Sequence, residues 1–307
     1  MTRREHHDEV NPCLPHTESG TRAKETLELM SMDPFAQEMS ERGRERARDQ
    51  AGPRPSVLLL PGLFAGAWIW EHTRRCLSSR GYRVLMVADP FALLDLGITP
   101  ISTVRSYLNK YFDELKISKA ILCGNSFGAL VALDFAVHFP HRVDALVISG
   151  APGFPGEARL DVTTTRTITL EYAHAVADYL FYDRSCLTND AIETTYALLS
   201  NRTALINIAR ALKAARDYDV GGILPHIDCP VSMIWGANDR VTPVSEWEHA
   251  IWLVKHGTLR KVAQCGHCPM VEQPHEFNTV LLEFLSRLVE DRMARGAHKR
   301  IAPGSNY

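Results

Sequence analysis

Three polar side chains in this sequence stand where apolar runs end, and their types suit acyl chemistry. Ser126 is the centre of Gly124-Asn125-Ser126-Phe127-Gly128, which follows Ala120-Ile121-Leu122-Cys123 and opens a stretch carrying Leu130, Val131, Leu133, Phe135 and Val137. A strand, a tight turn and a helix in that order lift a hydroxyl clear of a sheet, in the manner of a nucleophile elbow. The helix start then offers free N–H groups to a developing oxyanion. A serine hydroxyl is a weak nucleophile at neutral pH, so it needs a base, which a carboxylate must orient. Among thirteen histidines, His267 is selected by Gln264-Cys265-Gly266-His267-Cys268-Pro269-Met270-Val271-Glu272-Gln273-Pro274, between the last apolar run and the final helical stretch. Asp239, in Trp235-Gly236-Ala237-Asn238-Asp239-Arg240-Val241-Thr242-Pro243, also lies just past an apolar run. Its bland alternative is a loop aspartate capping the helix after Pro243. The order Ser, Asp, His is one in which such triads occur.

The elements that must position these residues read as alternating strands and helices. Val57–Leu60, Tyr82–Ala88, Ala120–Cys123, Ala145–Ile148, Val231–Trp235 and Thr258–Val262 are short apolar runs ended by turn residues or by charge. Such runs suit strands buried on both faces. Between them a helix starts at Thr99-Pro100, with Thr at the N-cap and Pro at N1, and carries Val104, Leu108, Tyr111, Phe112 and Leu115 at helical spacing. Others start after Ser126, after Pro243, and after Pro274 with Phe277, Leu281, Phe284 and Leu288. The fold class is therefore α/β, a mostly parallel central sheet with helices on both faces. Residues 156–223 break the rhythm: they hold helical patterns, among them Leu205, Ile208, Ala209 and Leu212 on one face, and read as a helical lid inserted between two strands. The core is then 55–155 and 224–290, with a C-terminal tail at 291–307. Residues 1–54, rich in charge and poor in branched and aromatic side chains, read as a disordered tail, although Leu27, Met30 and Phe35 could dock as an arm.

Composition narrows the function classes. The chain has 307 residues, 34 basic against 36 acidic, and a formal net charge of −2, which gives no basic stripe for nucleic acid or an anionic membrane. The longest nearly apolar stretch, Val57 to Trp70, is broken by Pro61, Gly62 and Gly66 and falls short of the ~20 residues of a membrane span. The first residues, MTRREHHDEVNPC, carry no apolar leader core, and seven cysteines spread over the chain do not form a disulfide framework. The expectation is a cytoplasmic protein with reduced thiols. Cys265-Gly266-His267-Cys268 spells C-x-x-C, but it follows the last strand rather than opening a small βαβ domain, which argues against a redox motif. No second cysteine pair stands at zinc-ligand spacing, and His6-His7 with Asp8-Glu9 reads as a solvated run. Neither a metal nor a cofactor is expected.

From about residue 55 to 290 the chain resembles the α/β-hydrolase fold superfamily, in the lid-bearing branch with esterases, thioesterases and carbon–carbon bond hydrolases. The motifs that carry the likeness are GNSFG at 124–128, WGANDRVTP at 235–243 and GHCPMVEQP at 266–274. The resemblance implies Ser126 as nucleophile, Asp239 as orienting acid and His267 as base. Leu60-Pro61-Gly62-Leu63 matches the place where the family usually has His-Gly-x after its third strand, which implies an oxyanion hole from the backbone N–H groups of Leu63 and Phe127. Two departures stand out: Pro61 replaces the usual His, and Asp89-Pro90-Phe91-Ala92 replaces a Gly-rich turn that helps close the pocket in many relatives. Phe64 and Trp68 beside the oxyanion loop line a pocket or pack the core. Tyr172, Tyr179 and Phe181 in the insertion either line the same pocket or hold the lid down.

The main expectation is a cofactor-independent serine hydrolase acting through an acyl-enzyme on an ester or related carbonyl compound, with an apolar small molecule as its substrate. Asn125-Ser126 together with Cys-Gly-His and the nearby Glu276-Phe277-Asn278 also resembles hydrolases that cleave a carbon–carbon bond of a vinylogous diketone. Two further alternatives use the same fold: elimination of a carboxylate with His267 as base, and a non-catalytic receptor. The intact Ser/Asp/His set argues against the receptor.

Overall fold

The computed structural model describes residues 54–87, 91, 94, 96–154 and 168–301. Six strands form one sheet: β1 Ser56–Leu60, β2 Arg83–Met86, β3 Ala120–Asn125, β4 Val143–Ser149, β5 Val231–Gly236 and β6 Gly257–Val262. Their spatial order is β2-β1-β3-β4-β5-β6 and every neighbouring pair is parallel. The four inner strands are the continuous apolar runs of the sequence and are buried almost throughout. The two outer ones differ. β2 is only half-buried along its length, and β6 leaves Thr258, Arg260 and Lys261 exposed and Leu259 half-buried. An edge strand has one neighbour and less cover, so a short apolar run there tolerates charge.

Among the described residues the α-helices are α1 Glu71–Ser78, α2 Pro100–Glu114, α3 Phe127–His138, α4 Leu170–Leu180, α5 Asn189–Ser200, α6 Arg202–Arg216, α7 Val220–Ile223, α8 Val244–Ala250, α9 Pro269–Glu272 and α10 Pro274–Ile301. In α3 every residue from Phe127 to Ala136 is buried, as expected of a helix that is apolar all round. α2 begins at Pro100 as expected and buries Val104, Leu108, Tyr111 and Phe112, although the Thr99 hydroxyl makes no capping bond. α10 buries Phe277, Leu281 and Phe284 and runs on to Ile301, past the expected boundary at 290.

Among the described residues between β4 and β5, where the insertion is expected, lie the four α-helices α4 to α7. The buried face of α6 is Ala204, Asn207, Ile208, Ala211 and Ala215, with Leu205, Ala209 and Leu212 only half-buried. The expected stripe is thus rotated by about one residue. Small alanines let the helix approach its neighbours closely, and the buried Asn207 amide donates to the Leu94 carbonyl at 2.7 Å. The expected N-terminal tail up to residue 53 with its arm at Leu27, Met30 and Phe35, most of the Asp89–Ala92 loop, the insertion's first stretch at 155–167, and the chain after 301 lie outside the described residues. Among the described residues no helix is long and apolar enough to cross a membrane.

Candidate active site

Within residues 120–136 every residue is buried except Ser126, which is half-buried. Its backbone has φ 56° and ψ −125°, a left-handed region that costs a non-glycine residue of order 1–3 kcal/mol. The surroundings hold it there. The Ser126 N–H donates to the Ser149 carbonyl at the end of β4 (2.8 Å), and its own carbonyl receives the N–H groups of Ala129 and Leu130. The β1 loop passes close beside it: a Cβ added to Gly62 would lie 3.0 Å from Ser126 Cβ and 3.5 Å from its Oγ. A Cβ on Gly128 would fall 2.5 Å from the Leu60 and Pro61 carbonyl oxygens. Glycine at both positions lets the loop carrying Leu63 press against the first turn of α3. The N–H of Phe127 opens that helix, where no carbonyl of the helix itself is available to it.

Asp239 and His267 are brought together by the loops after β5 and β6. His267 Nδ1 is 2.9 Å from Asp239 Oδ2, with both side chains at most 3% exposed. The carboxylate is itself held: Oδ1 accepts the N–H groups of Val241 (2.9 Å) and Thr242 (3.0 Å), and Oδ2 accepts the Thr242 hydroxyl (2.9 Å). The expected alternative, a cap on the helix after Pro243, is not what Asp239 does: α8 starts behind Pro243 with no side-chain cap, and the carboxylate instead holds its own loop through Val241 and Thr242 while Oδ2 pairs with His267. The Trp235 indole N–H donates to the Thr242 carbonyl at 2.8 Å and fixes the far end of the same loop.

Asn125 joins the serine to the histidine. Its buried amide Nδ2 donates to the His267 carbonyl at 3.0 Å. Gly150, with φ +62°, is where the imidazole lies over the end of β4; a Cβ there would fall 2.6 Å from His267 Cε1 and 2.8 Å from Nδ1. Any other residue would meet both strained backbone and the ring. Thr242 and Gly150 are not among the residues singled out from sequence, and Asn125 was noted there only as the neighbour of Ser126. Thr242 had a local signal, three residues after the acid and just before Pro243, whereas Gly150 and the Asn125 contact had none.

The remaining expected residues fall as follows. Phe64 is buried, and its carbonyl accepts the Thr195 hydroxyl of α5 at 3.4 Å. Trp68 is half-buried, and its indole N–H is buried with no partner among the described residues. Tyr179 on α4 donates its hydroxyl to the Arg240 carbonyl, 3.0 Å, next to Asp239. Burial, and after it the Asp239 charge, push the Tyr179 phenol above its ordinary range. Phe181 is buried just past α4, and Tyr172 packs half-buried against the core from its first turn. Cys265 and Cys268, on either side of His267, are free thiols. Burial, followed by the Glu272 charge, pushes both well above the usual thiol range, the opposite of a reactive redox cysteine.

A serine on a strained turn between β3 and α3 and a buried His–Asp pair thus stand on the loops that follow β3, β5 and β6 of a parallel sheet. Accordingly, the sequence profile of the alpha/beta hydrolase family matches residues 57–280, and the chain belongs to that family. It is 30% identical over 264 residues to a 2-hydroxy-6-oxononadienedioate/2-hydroxy-6-oxononatrienedioate hydrolase of Burkholderia vietnamiensis (strain G4 / LMG 22486), covering 80% of this chain and 91% of that one. It is 26% identical over 261 residues to a 2-hydroxy-6-oxo-6-phenylhexa-2,4-dienoate hydrolase of Comamonas testosteroni, covering 77% and 90%. A solved meta-cleavage product hydrolase from Pseudomonas fluorescens IP01 shares the fold, with a TM-score of 0.66, 23% identity and coverage of 77% and 92%.

Proposed function

We propose that this protein is a carbon–carbon bond hydrolase that cleaves a vinylogous diketone, a small molecule in which a ketone is conjugated through double bonds to an enol. The observation that carries the reading is the pair of hydrolases of 2-hydroxy-6-oxo dienoates just described, each aligned over about nine-tenths of its length. The same reading replaces simple ester hydrolysis as the first choice. A carbon leaving group is far poorer than an alkoxide, and conjugation answers that problem by moving the departing electron pair onto oxygen.

In this reading Ser126 Oγ attacks the ketone carbon and His267 Nε2 takes its proton. Asp239 holds the ring through Nδ1 and stabilises the imidazolium. The Leu63 and Phe127 N–H groups receive the oxyanion. The dienol first ketonises, its enol proton moving to the carbon next to the ketone; collapse of the tetrahedral adduct then breaks the bond to that carbon, its electron pair passes through the enone to oxygen as a dienolate, and the proton on His267 neutralises it. Water, activated by the same histidine, then releases the acyl group as a carboxylic acid.

The insertion α4–α7 serves as the lid over this site. Within its described residues the buried side chains are apolar apart from Thr195 and Asn207. An insertion of that apolar character suits an uncharged, hydrophobic group on the ketone side, and it also keeps an apolar ester as the second reading. The test is a matched pair of assays, loss of the dienoate's visible absorbance against release of p-nitrophenolate from short and medium esters. The proposal expects kcat/KM for a 2-hydroxy-6-oxo dienoate to exceed that for any ester, with both lost in Ser126→Ala. Ester turnover with the dienoates left intact overturns it.

A further inference from the structure

Glu272, at the end of α9, takes no part in the chemistry above, yet its carboxylate is surrounded by backbone donors. Oε1 accepts the N–H groups of Gly266 (2.9 Å) and Cys268 (3.4 Å), the two neighbours of His267. Oε2 accepts those of Tyr182 (2.6 Å) and Asp183 (3.4 Å), which follow α4 of the insertion. Between them the His267 N–H donates to the carbonyl of Leu180, the last residue of α4, at 2.8 Å. The fit is close: a Cβ on Gly266 would lie 2.7 Å from both Leu180 O and Tyr182 N. The same segment reaches the other loop. Tyr179 donates its hydroxyl to the Arg240 carbonyl, and the Arg240 guanidinium donates to the Asp178 carbonyl at 3.4 Å.

Residues 178–183 thus contact both loops on which the Asp239–His267 pair depends. We infer that this end of α4 is a brace that sets the register of the pair, with Glu272 and Tyr179 as its positioning residues. The insertion then orients the base as well as covering the substrate. This rests on the triad reading given above. A carboxylate can only accept, which suits four converging N–H groups. A glutamine in its place turns two donors of its own toward some of them, and the Gly266-His267-Cys268 turn must shift. Displacing a reacting group by ~1 Å can cost about 100-fold in rate. Loss of the single Tyr179 hydroxyl bond, about 1 kcal/mol, corresponds to roughly fivefold.

The experiment uses a fluorophosphonate, which reports the reactivity of Ser126 whatever the natural substrate is. Phosphonylation rates are measured for the full-length wild type, Glu272→Gln, Tyr179→Phe and Ser126→Ala, alongside thermal melting and the downfield proton NMR signal of the His267 Nδ1–H. The brace predicts a rate at least tenfold lower in Glu272→Gln and a few-fold lower in Tyr179→Phe. The Nδ1–H signal should be broadened or shifted in both, and with substrate the loss should fall on kcat rather than KM. Should Glu272→Gln fail to fold, Tyr179→Phe, which loses one hydroxyl from a half-buried side chain, decides the matter alone. Folded variants that react at the wild-type rate with an unchanged proton signal overturn the brace. A wild type that is not labelled at Ser126 overturns the triad itself, and the brace with it.

Discussion

Two buried aspartates, Asp239 beside the sheet's C-terminal edge and Asp134 on α3, look alike by burial and by hydrogen bonding, yet they do different work. Asp239 accepts two backbone N–H groups and a hydroxyl from its own loop, and its remaining contact is the His267 ring. Asp134 accepts Arg105 Nη1 from α2 at 2.9 Å on both oxygens and the Tyr218 hydroxyl, from the chain just after α6, at 2.8 Å. The Arg105 guanidinium in turn lies 3.1 Å from the His138 ring. One partner set is centred on the imidazole of His267. The other is centred on a permanent cation. Burial, followed by the bond to Asp134, holds the Tyr218 phenol far above its ordinary range, so it stays a donor. Asp134 is therefore a strut tying α2, α3 and the returning insertion, and Asp239 is a handle on the His267 ring. Asp134 also has the His138 ring 3.5 Å from Oδ1, so what separates the two is the partner that the carboxylate chiefly holds, a guanidinium in one and an imidazole in the other, not how deeply it is buried.

The contrast can be broken by matched amide substitutions. Asp239→Asn keeps the shape but presents an N–H where Nδ1–H needs an acceptor. Turnover should fall by about 10⁴-fold, with urea unfolding little changed. Asp134→Asn should do the reverse. It leaves Arg105, only 22% exposed, without its counter-charge, and unfolding free energy should drop by about 3 kcal/mol, while kcat of the folded enzyme stays within about twofold, a change of under 0.5 kcal/mol. A folded Asp134→Asn protein with severely reduced kcat would erase the distinction between handle and strut.

A third carboxylate sharpens the comparison from the surface. Glu71, at the start of α1, pairs with Arg74 and Arg75, and the Arg74 bond above all holds it at about 2, against an ordinary 4.5. A depressed carboxyl adds stability above its unfolded pKa and loses it as pH falls through the folded one. The Glu71→Gln difference should thus be full above pH 4.5 and vanish near pH 2. Because the group is 38% exposed, solvent screening keeps the effect under about 1 kcal/mol. Melting of wild type and variant at pH 6 and pH 3 reads it. A gap that widens in acid contradicts the sign.

These contrasts bear on how much the sequence discloses. All six strands and the helices after Thr99, Ser126, Pro243 and Pro274 were legible, because strand runs and helical stripes are local patterns. The edge character of β2 and β6 was not, since an apolar run of a few residues reads alike wherever it sits in a sheet. The face of α6 was displaced because alanines carry little hydrophobic signal and Asn207 is buried for a hydrogen bond rather than for its apolarity. In the site, Ser126, Asp239 and His267 stand out because each closes a strand within a short motif. Their supports do not. Asn125 meets the His267 carbonyl 142 residues away, and Tyr182 meets Glu272 90 residues away. Tyr179 was readable only as an aromatic of the insertion, and its hydroxyl proves to be committed to the acid loop. Contacts of that range follow from the topology of the sheet and from no local spacing.

The central claim is that Ser126 opens a carbon–carbon bond and water completes the reaction. It is tested most directly by a single turnover of a 2-hydroxy-6-oxo dienoate in ¹⁸O-labelled water, with the enzyme acid-quenched and its peptides and products weighed. The account predicts a transient acyl mass on the peptide carrying Ser126, cleavage of the dienoate into two fragments, and one labelled oxygen in the released carboxylic acid. Turnover with no adduct on Ser126 and no label in the acid would contradict it.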